Sequence, residues 1–208
     1  MPIAPRKQPK QARAQERVQR ILDTAEKLLA NEGYETFSTN RVAKAAEVNI
    51  ASLYQYFPNK QSLVFAINRK MLDEVLELFE SFEHSWANND WKCIFDMFGT
   101  ELLTSNQHIR LVKALDQAAV KSPELQLLER QHAETISQFY SRFLKHYGSN
   151  WSESDRINAG RMIYAMGTMG LYDSDHLSKP DQQRILQLFK MNIEQFVDSI
   201  LNRAAPPK

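Results

Sequence analysis

The feature that most constrains the fold of this chain is the stretch from Thr39 to Lys60, TNRVAKAAEVNIASLYQYFPNK. It contains two short apolar-patterned segments joined by a tight turn, and Pro58 ends the second segment. A reader of the DNA major groove needs small residues where two helices cross, a short turn, and a polar face on the second helix. The stretch therefore predicts a helix-turn-helix. A helical hairpin inside an ordinary core has a similar pattern, so the stretch alone leaves both interpretations open.

The segments on either side favour the first interpretation. A longer helical segment precedes the stretch and closes at Gly33-Tyr34, and the run LYQYFPNK is followed by Leu63. With these features in this order, residues 17–67 resemble the DNA-binding domain of the TetR/AcrR family of bacterial transcriptional regulators. The resemblance implies an all-α fold of about nine helices. It also implies an N-terminal three-helix head and a C-terminal helical domain for effector binding and dimerisation.

One position departs from the family pattern. The family usually has glycine in the turn where this chain has Glu47. If the turn requires a positive φ at this position, glutamate is a poor occupant. Its carboxylate would also lie unfavourably close to a phosphate backbone.

Composition and charge suit a DNA-binding protein of the cytoplasm. Residues 1–60 hold ten Lys or Arg and six Asp or Glu, whereas the net charge of the 208-residue chain is only +1. Cys93 is the only cysteine, so no intrachain disulfide or multi-cysteine zinc site is expected. The N-terminus lacks the apolar region of a secretory signal, and no apolar run is long enough to span a membrane.

Apolar periodicity and capping signals predict the remaining organisation. We expect a disordered basic arm at 1–14, a DNA-binding domain at 15–60, an effector-binding and dimerisation domain at 61–203, and a loose tail at 204–208. The first helix is predicted from Gln15 to Asn31, with Gly33 ending it in a left-handed conformation. A helix from Lys60 to Glu83 is apolar on two faces, which predicts packing on both sides. It is a candidate lever between the effector and DNA sites.

The second helix of the helix-turn-helix carries the expected base contacts. Gln55 can pair with adenine through its amide, Ser52 can donate or accept a hydrogen bond, and Ala51 or Ile50 can contact a thymine methyl group. The family resemblance implies phosphate contacts by Tyr54, Lys60 and Thr39; core packing for Tyr54 and a solvated position for Lys60 are the alternatives. The full set predicted to lie at the DNA comprises Thr39, Asn40, Asn49, Ile50, Ala51, Ser52, Tyr54, Gln55 and Lys60.

Aromatic and methionine residues of the later helices suggest an effector pocket. Methionine adapts to varied apolar ligands, although ordinary core packing explains each residue taken alone. The resemblance favours a pocket for a small, mainly apolar molecule, lined by Trp91, Phe95, Phe98, His132, Phe139, Phe143, Met162, Met166 and Met169. His132 could supply a polar contact or be a satisfied core histidine. Glu129 and His132 form only one Glu-x-x-His unit, so neither a metal nor a cofactor is expected.

Three glycines mark the segment 153–172 as unusual for a helix, since glycine destabilises a helix interior by about 1 kcal/mol relative to alanine. They suggest close approach of another backbone. Together with the wide apolar stripe of the last helix, they predict a homodimer interface that includes Gly160, Ile163, Gly167, Gly170, Phe189, Ile193 and Phe196.

These observations predict a homodimeric transcriptional regulator, a repressor released from a palindromic operator by its effector. Signatures of an enzyme are missing from the sequence: it has neither a G-x-S-x-G elbow nor a phosphate-cradling glycine loop. An architectural DNA-binding protein without an effector and a helical-bundle enzyme are the alternative hypotheses.

Overall fold

The computed structural model describes residues 11–103, 106–171 and 177–204, with side chains described except at 98–103, 106–109 and 168–171. Within these ranges the chain forms nine α-helices and one turn of 3₁₀ helix, which agrees with the predicted all-α fold. The helices are α1 (Ala12–Thr36), α2 (Thr39–Ala45), α3 (Ile50–Tyr56), α4 (Lys60–Glu83), α5 (Trp91–Leu103), α6 (Asn106–Ala119), α7 (Pro123–His146), α8 (Glu153–Leu171) and α9 (Lys179–Asn202). The 3₁₀ turn is Trp86–Asn88.

The helices form two compact units. The N-terminal unit comprises the described residues up to Asp73 together with Gln107–Leu128, and the C-terminal unit comprises Glu74–Asn106 and the described residues from Glu129 onward. The N-terminal unit thus extends past residue 60, the predicted end of the DNA-binding domain, and includes α6. Because α1 begins at Ala12, the predicted arm overlaps α1 at residues 12–14, and its first ten residues lie outside the described part of the chain.

The core of the N-terminal unit is built from one face each of α1, α2, α3, α4 and α6. Its fully buried side chains include Ile21, Leu29, Leu53, Leu63 and Leu115. Burying one such side chain stabilises a fold by about 1.5–3 kcal/mol. This core therefore holds the two short helices α2 and α3, which at seven residues each are too short to be stable alone.

Local signals set the ends of these helices. The Ser38 hydroxyl accepts a hydrogen bond from the Arg41 N–H at the start of α2. At the start of α4, the Asn59 carboxamide oxygen accepts from the Ser62 N–H at 2.7 Å, and the Ser62 hydroxyl accepts from the Asn59 N–H at 3.2 Å. Gly33 has a φ of 75° and breaks α1 as predicted, so a separate helical turn follows it.

Aromatic rings dominate the core of the C-terminal unit. Trp86, from the 3₁₀ turn, meets Phe139 and Phe143 edge-on, with centroid distances of 5.2 and 5.5 Å. Phe79 meets Phe139 at 4.9 Å, and Phe95 meets Phe143 at 5.3 Å. Edge-to-face pairs of this kind add about 0.5–1.5 kcal/mol each beyond the area they bury. The helices of this unit are therefore joined through a specific aromatic cluster.

Candidate nucleic-acid interface

The predicted helix-turn-helix is present in the N-terminal unit as α2, a four-residue turn and α3. Val42 and Ala43 of α2 are buried, and so are Leu53 of α3 and Phe57, which follows it. These contacts fix one face of α3 against the core. The opposite face is therefore held in a defined orientation toward solvent.

The turn is a helix-ending motif that uses a left-handed residue. The Val48 N–H donates to the Ala43 carbonyl at 3.0 Å, and the Glu47 N–H donates to the Lys44 carbonyl at 3.3 Å. Glu47 has a φ of 54°, and it is the only non-glycine residue with positive φ in the described part of the chain. The position therefore has the positive φ for which glutamate is a poor occupant. The turn forms despite an unfavourable occupant.

The exposed face of α3 carries two of the four residues that are predicted to contact bases. Ala51 and Gln55 are exposed, whereas Ser52 and Ile50 are half-buried, and Ile50 packs against the core. Asn49 is exposed, but its carboxamide oxygen caps α3 by accepting a hydrogen bond from the Ala51 N–H at 2.8 Å. Asn49 thus orients the first turn of α3.

Thr39 and Tyr54 are brought together across the helix-turn-helix. Their hydroxyl oxygens lie 3.1 Å apart and share a hydrogen bond. Tyr54 is 40% exposed, so core packing does not account for it, while Thr39 is buried. Asn40, next to Thr39, is exposed. The pair therefore places a hydroxyl group beside the start of α2, where an anion is favoured by the backbone N–H groups.

Lys60 lies at the first residue of α4, but its side chain folds back onto the protein. Its Nζ donates a hydrogen bond to the Tyr34 carbonyl and lies 4.0 Å from the centroid of the Tyr34 ring. Burial lowers the pKa of the Lys60 ammonium, and the nearby Glu35 partly opposes this effect. The alternative of a fully solvated lysine is wrong, because this ammonium has partners within the fold.

Sequence reasoning missed the residues around Lys60. Lys121, which follows α6, forms an ion pair with Glu35. The Gly33-Tyr34 pair marks the end of the first helical segment in the sequence, but it does not show which lysine packs on Tyr34. Lys121 is 61 positions after Lys60, and no local pattern connects the two.

The residues predicted to line the effector pocket are partly assembled in the C-terminal unit. Phe95, Phe139 and Phe143 belong to the aromatic cluster around Trp86. Trp86 itself is not among the residues predicted to line the pocket. His132 is buried, with its ring centroid 5.9 Å from that of Tyr164. Trp91 and Met166 are half-buried, and the side chains of Phe98 and Met169 lie outside the described residues.

The prediction that Met162 lines the effector pocket is corrected by the structure. It is 54% exposed and therefore lies on the surface of α8 rather than within the aromatic cluster. A groove of about 620 Å³ elsewhere in this unit is lined by Met191 and polar residues of α9, together with Arg203 and Lys92, and it contains none of the predicted pocket residues. The predicted pocket thus remains an expectation about the aromatic cluster.

The predicted dimer residues divide into two groups. A side chain at Gly160 would approach the Ser137 carbonyl oxygen to 2.5 Å, so the close backbone contact expected there is made with α7 of the same chain. Ile163 and Ile193 are likewise buried within the C-terminal unit. These are corrections: small residues on α8 serve its packing on α7.

The second group remains available to a partner. A side chain at Gly167 would meet no atom within 4 Å, and Phe189 and Phe196 are half-buried. Gly170 lies among the residues whose side-chain surroundings are not described. Exposed apolar side chains on the same two helices, which the sequence analysis did not single out for dimerisation, are Met162, Leu188 and Met191.

Other kinds of site find no support in the described residues. Within these ranges, no three His, Cys, Asp or Glu side chains cluster as a metal ion would require. No described helix combines the length and apolar character needed to cross a membrane.

The chain resembles known regulators in sequence and in fold. Residues 21–67 match the family model described as bacterial regulatory proteins, tetR family. HTH-type transcriptional regulators of Staphylococcus aureus, for example from strains USA300 and COL, are 33% identical over 76 residues, which is 36% of this chain and 41% of theirs. The chain therefore matches less than half the length of these relatives.

Solved structures extend the likeness to most of the chain. A transcriptional regulator from Rhodococcus has a TM-score of 0.73 at 19% identity, covering 90% of this chain and 98% of its own. A TetR-family regulator from Streptomyces coelicolor has a TM-score of 0.72 at 15% identity, covering 90% and 91%. At these identities the likeness concerns the fold.

The capped turn and the exposed α3 together form the helix-turn-helix that lies within this match. Residues 21–67 thus carry the sequence pattern of bacterial regulatory proteins of the tetR family, and the described helices share the fold of solved TetR-family regulators.

Proposed function

We propose that this protein is a homodimeric transcriptional regulator that binds a palindromic operator and is released by a small, mainly apolar effector. The observation that carries the DNA-binding part is the geometry of α3. Leu53 and Phe57 hold one face against the core, and Ala51, Tyr54 and Gln55 are exposed on the other. This is the arrangement by which a recognition helix enters the major groove.

Base recognition is assigned to Gln55. Gln55→Ala should cost about 1–3 kcal/mol at one operator position and relax the base preference there. The measurement is binding to a site selected from random duplexes and to its single-base variants. Gln138→Ala, which changes an exposed glutamine of α7, is the matched control. An unchanged base preference in Gln55→Ala would contradict the assignment.

Contacts to the backbone phosphates are assigned to Thr39, Tyr54 and Lys60. Phosphate contacts weaken with salt, and each lost contact should reduce the slope of log K against log salt concentration by about 0.9. Lys60→Ala should therefore lower affinity for all sequences alike and reduce the slope. Salt-titrated binding to operator and random DNA tests this role.

The homodimer interface is assigned to the surface formed by α8 and α9. The exposed side chains of Met162, Leu188 and Met191, with the open position of Gly167, support this choice because a second copy would remove apolar surface from water. A two-fold dimer would place two copies of α3 about 34–36 Å apart, or somewhat further, and would require a palindromic site.

Gly167→Leu tests the interface in sedimentation experiments. The change should impair dimerisation while each chain still folds, since a side chain at Gly167 meets no atom of its own chain within 4 Å. Ala87→Leu, an exposed change in the 3₁₀ turn, is the control. A wild-type monomer, or an unaffected dimer in Gly167→Leu, would contradict the proposal.

The effector is assigned to the aromatic cluster of the C-terminal unit, with His132 as a polar contact. Helix α4 begins in the N-terminal unit and ends in the C-terminal one, which supports its proposed role as a lever. If an effector releases the operator, operator DNA must weaken effector binding by the same factor.

Effector affinity should therefore be measured with and without operator, for aromatic and acyl compounds that shift the melting temperature. Val75→Ala in α4 should change the ratio of the two affinities without abolishing either binding event. Equal affinities in the wild type would favour an architectural DNA-binding protein instead.

A further inference from the structure

Three elements of the N-terminal unit meet around Tyr34. The break at Gly33 places Tyr34 and Glu35 in a separate turn at the end of α1. Lys60 comes from the start of α4, and Lys121 comes from the segment that links α6 to α7. Their ammonium nitrogens lie 4.0 Å and 5.9 Å from the centroid of the same Tyr34 ring. Two cations from distant parts of the sequence therefore share one surface.

An exposed carboxylate accompanies these two cations. Glu35 forms an ion pair with Lys121, and the side chains are 72% and 58% exposed. The hydrogen bond from Lys121 lowers the pKa of the Glu35 carboxyl, followed by the charge of Lys121 and, more weakly, that of Lys60. Glu35 is thus an exposed anion that is paired with Lys121 and also interacts with the charge of Lys60.

A contribution to folding stability does not explain well why Lys121 and Glu35 form an ion pair. Exposed ion pairs contribute little to folding, because water solvates both charges and the side chains lose entropy on pairing. The pair can therefore exchange partners at low cost. A phosphodiester presents the same single negative charge and acceptor oxygens as a carboxylate, and lysine binds either one.

The Lys121–Glu35 ion pair is connected to α3 through Lys60. Lys60 lies four residues beyond the last residue of α3, and it packs on the ring that Lys121 also approaches. A DNA strand that reaches Lys60 beside α3 would therefore come close to Lys121 and to the Glu35 carboxylate. The Glu35 carboxylate would repel the DNA strand, and the Lys121 ammonium would attract it.

We propose that Lys121 is a further DNA-phosphate contact and that Glu35 is an internal competitor that holds this lysine when no DNA is bound. The inference rests on the proposed DNA-binding function. On binding, the Lys121 ammonium exchanges the Glu35 carboxylate for a phosphate oxygen of the duplex. Glu35 thereby limits affinity for DNA of any sequence and leaves discrimination to the bases that α3 contacts.

The test uses the full chain and fluorescently labelled duplexes, one of random sequence and one selected for binding, over a series of salt concentrations. Lys121→Ala should weaken binding to both duplexes and reduce the slope of log K against log salt by about 0.9. Glu35→Gln should tighten binding to both duplexes several-fold. Lys121→Arg keeps the charge and should keep the wild-type slope.

The opposite signs distinguish this role from a structural one. If the two residues matter only as an ion pair, Lys121→Ala and Glu35→Gln remove the same interaction and should change DNA affinity in the same direction. That result, or an unchanged slope in Lys121→Ala, would overturn the inference. Lys145→Ala removes one exposed lysine charge from α7 in the C-terminal unit and controls for net charge.

Failure of the inference differs from failure of the proposed function. Wild-type protein that binds neither duplex at low salt overturns both, whereas wild-type binding with an unchanged slope in Lys121→Ala overturns only the role of Lys121. Melting temperatures of both variants should stay close to the wild-type value, which ensures that folded proteins are compared.

Discussion

Two helices of this protein end in the same hydrogen-bond pattern, α2 in the helix-turn-helix and α7 before α8. At the end of α7, the N–H groups of Gly148 and Ser149 donate to the carbonyls of Lys145 and Leu144 at 3.2 and 3.0 Å. The residue in the left-handed conformation is glycine there, with a φ of 96°, whereas it is Glu47 after α2.

The difference shows that the motif does not depend on glycine. A side chain in the left-handed region costs about 1–2 kcal/mol, because its Cβ approaches the following carbonyl oxygen. At the end of α2 this cost is offset by the hydrogen bonds of the turn and by Val48, which packs against the core. The helix-turn-helix is therefore formed by tertiary packing against a local preference.

The largest expected effect concerns a glycine that is needed for space rather than for conformation. Gly160→Ala would place a Cβ 2.5 Å from the Ser137 carbonyl oxygen, so α8 must move away from α7. We expect a loss of about 1–3 kcal/mol in the free energy of unfolding. Gly167→Ala, with no atom within 4 Å, should instead gain up to about 1 kcal/mol, measured by urea unfolding. Equal effects at the two glycines would show that space on α8 is not limiting.

Gly148→Ala tests the conformational cost alone. A side chain at Gly148 would meet no atom within 4 Å, so any loss comes from its positive φ. We expect destabilisation of about 1 kcal/mol, seen as a lower urea midpoint with an unchanged m-value. An unaffected midpoint would mean that the turn after α7 adjusts to the new side chain.

Glu47→Gly is the reverse change in the N-terminal unit. It removes the strain of the positive φ, while glycine adds freedom to the unfolded chain, so a net gain of about 0.5–1 kcal/mol is expected. Thermal unfolding measures this gain. A loss of stability would indicate that the Glu47 side chain has a stabilising contact that outweighs the strain.

The smallest effect on stability is expected for Glu47→Gln, because this change keeps the strain and removes only the charge. The midpoint of unfolding should stay within about 0.5 kcal/mol of the wild type, as for most surface substitutions. DNA affinity should rise in both Glu47 variants if the carboxylate repels phosphate. An increase in Glu47→Gly alone would assign the effect to the shape of the turn.

Local signals explain what the sequence could predict. The helix-turn-helix between Thr39 and Lys60, the unfavourable occupant of its turn at Glu47 and the break of α1 at Gly33 each follow from a few neighbouring residues. Such features depend on backbone sterics and helix periodicity, which act over short stretches. The predicted span of α4, Lys60 to Glu83, is confirmed for the same reason.

The sequence could not predict which residues that lie far apart along the chain contact each other in the fold. The small residues of α8 indicated a close helix contact, but the pattern did not show that Gly160 faces Ser137 of the same chain. Nor did it show that α6 packs with the N-terminal unit, or that Lys121 reaches Glu35. In each case the partner is set by the tertiary fold, and the residue type alone is compatible with several neighbours.

The aromatic cluster around Trp86 has a spectroscopic consequence. The three tryptophans of the chain are Trp86, Trp91 and Trp151, and all belong to the C-terminal unit. Indole fluorescence therefore reports on that unit alone, while circular dichroism records the helices of both. Unfolding curves from the two signals coincide only if the units unfold together. A comparison of the two signals therefore tests, without any added label, whether the two units unfold in a single cooperative transition.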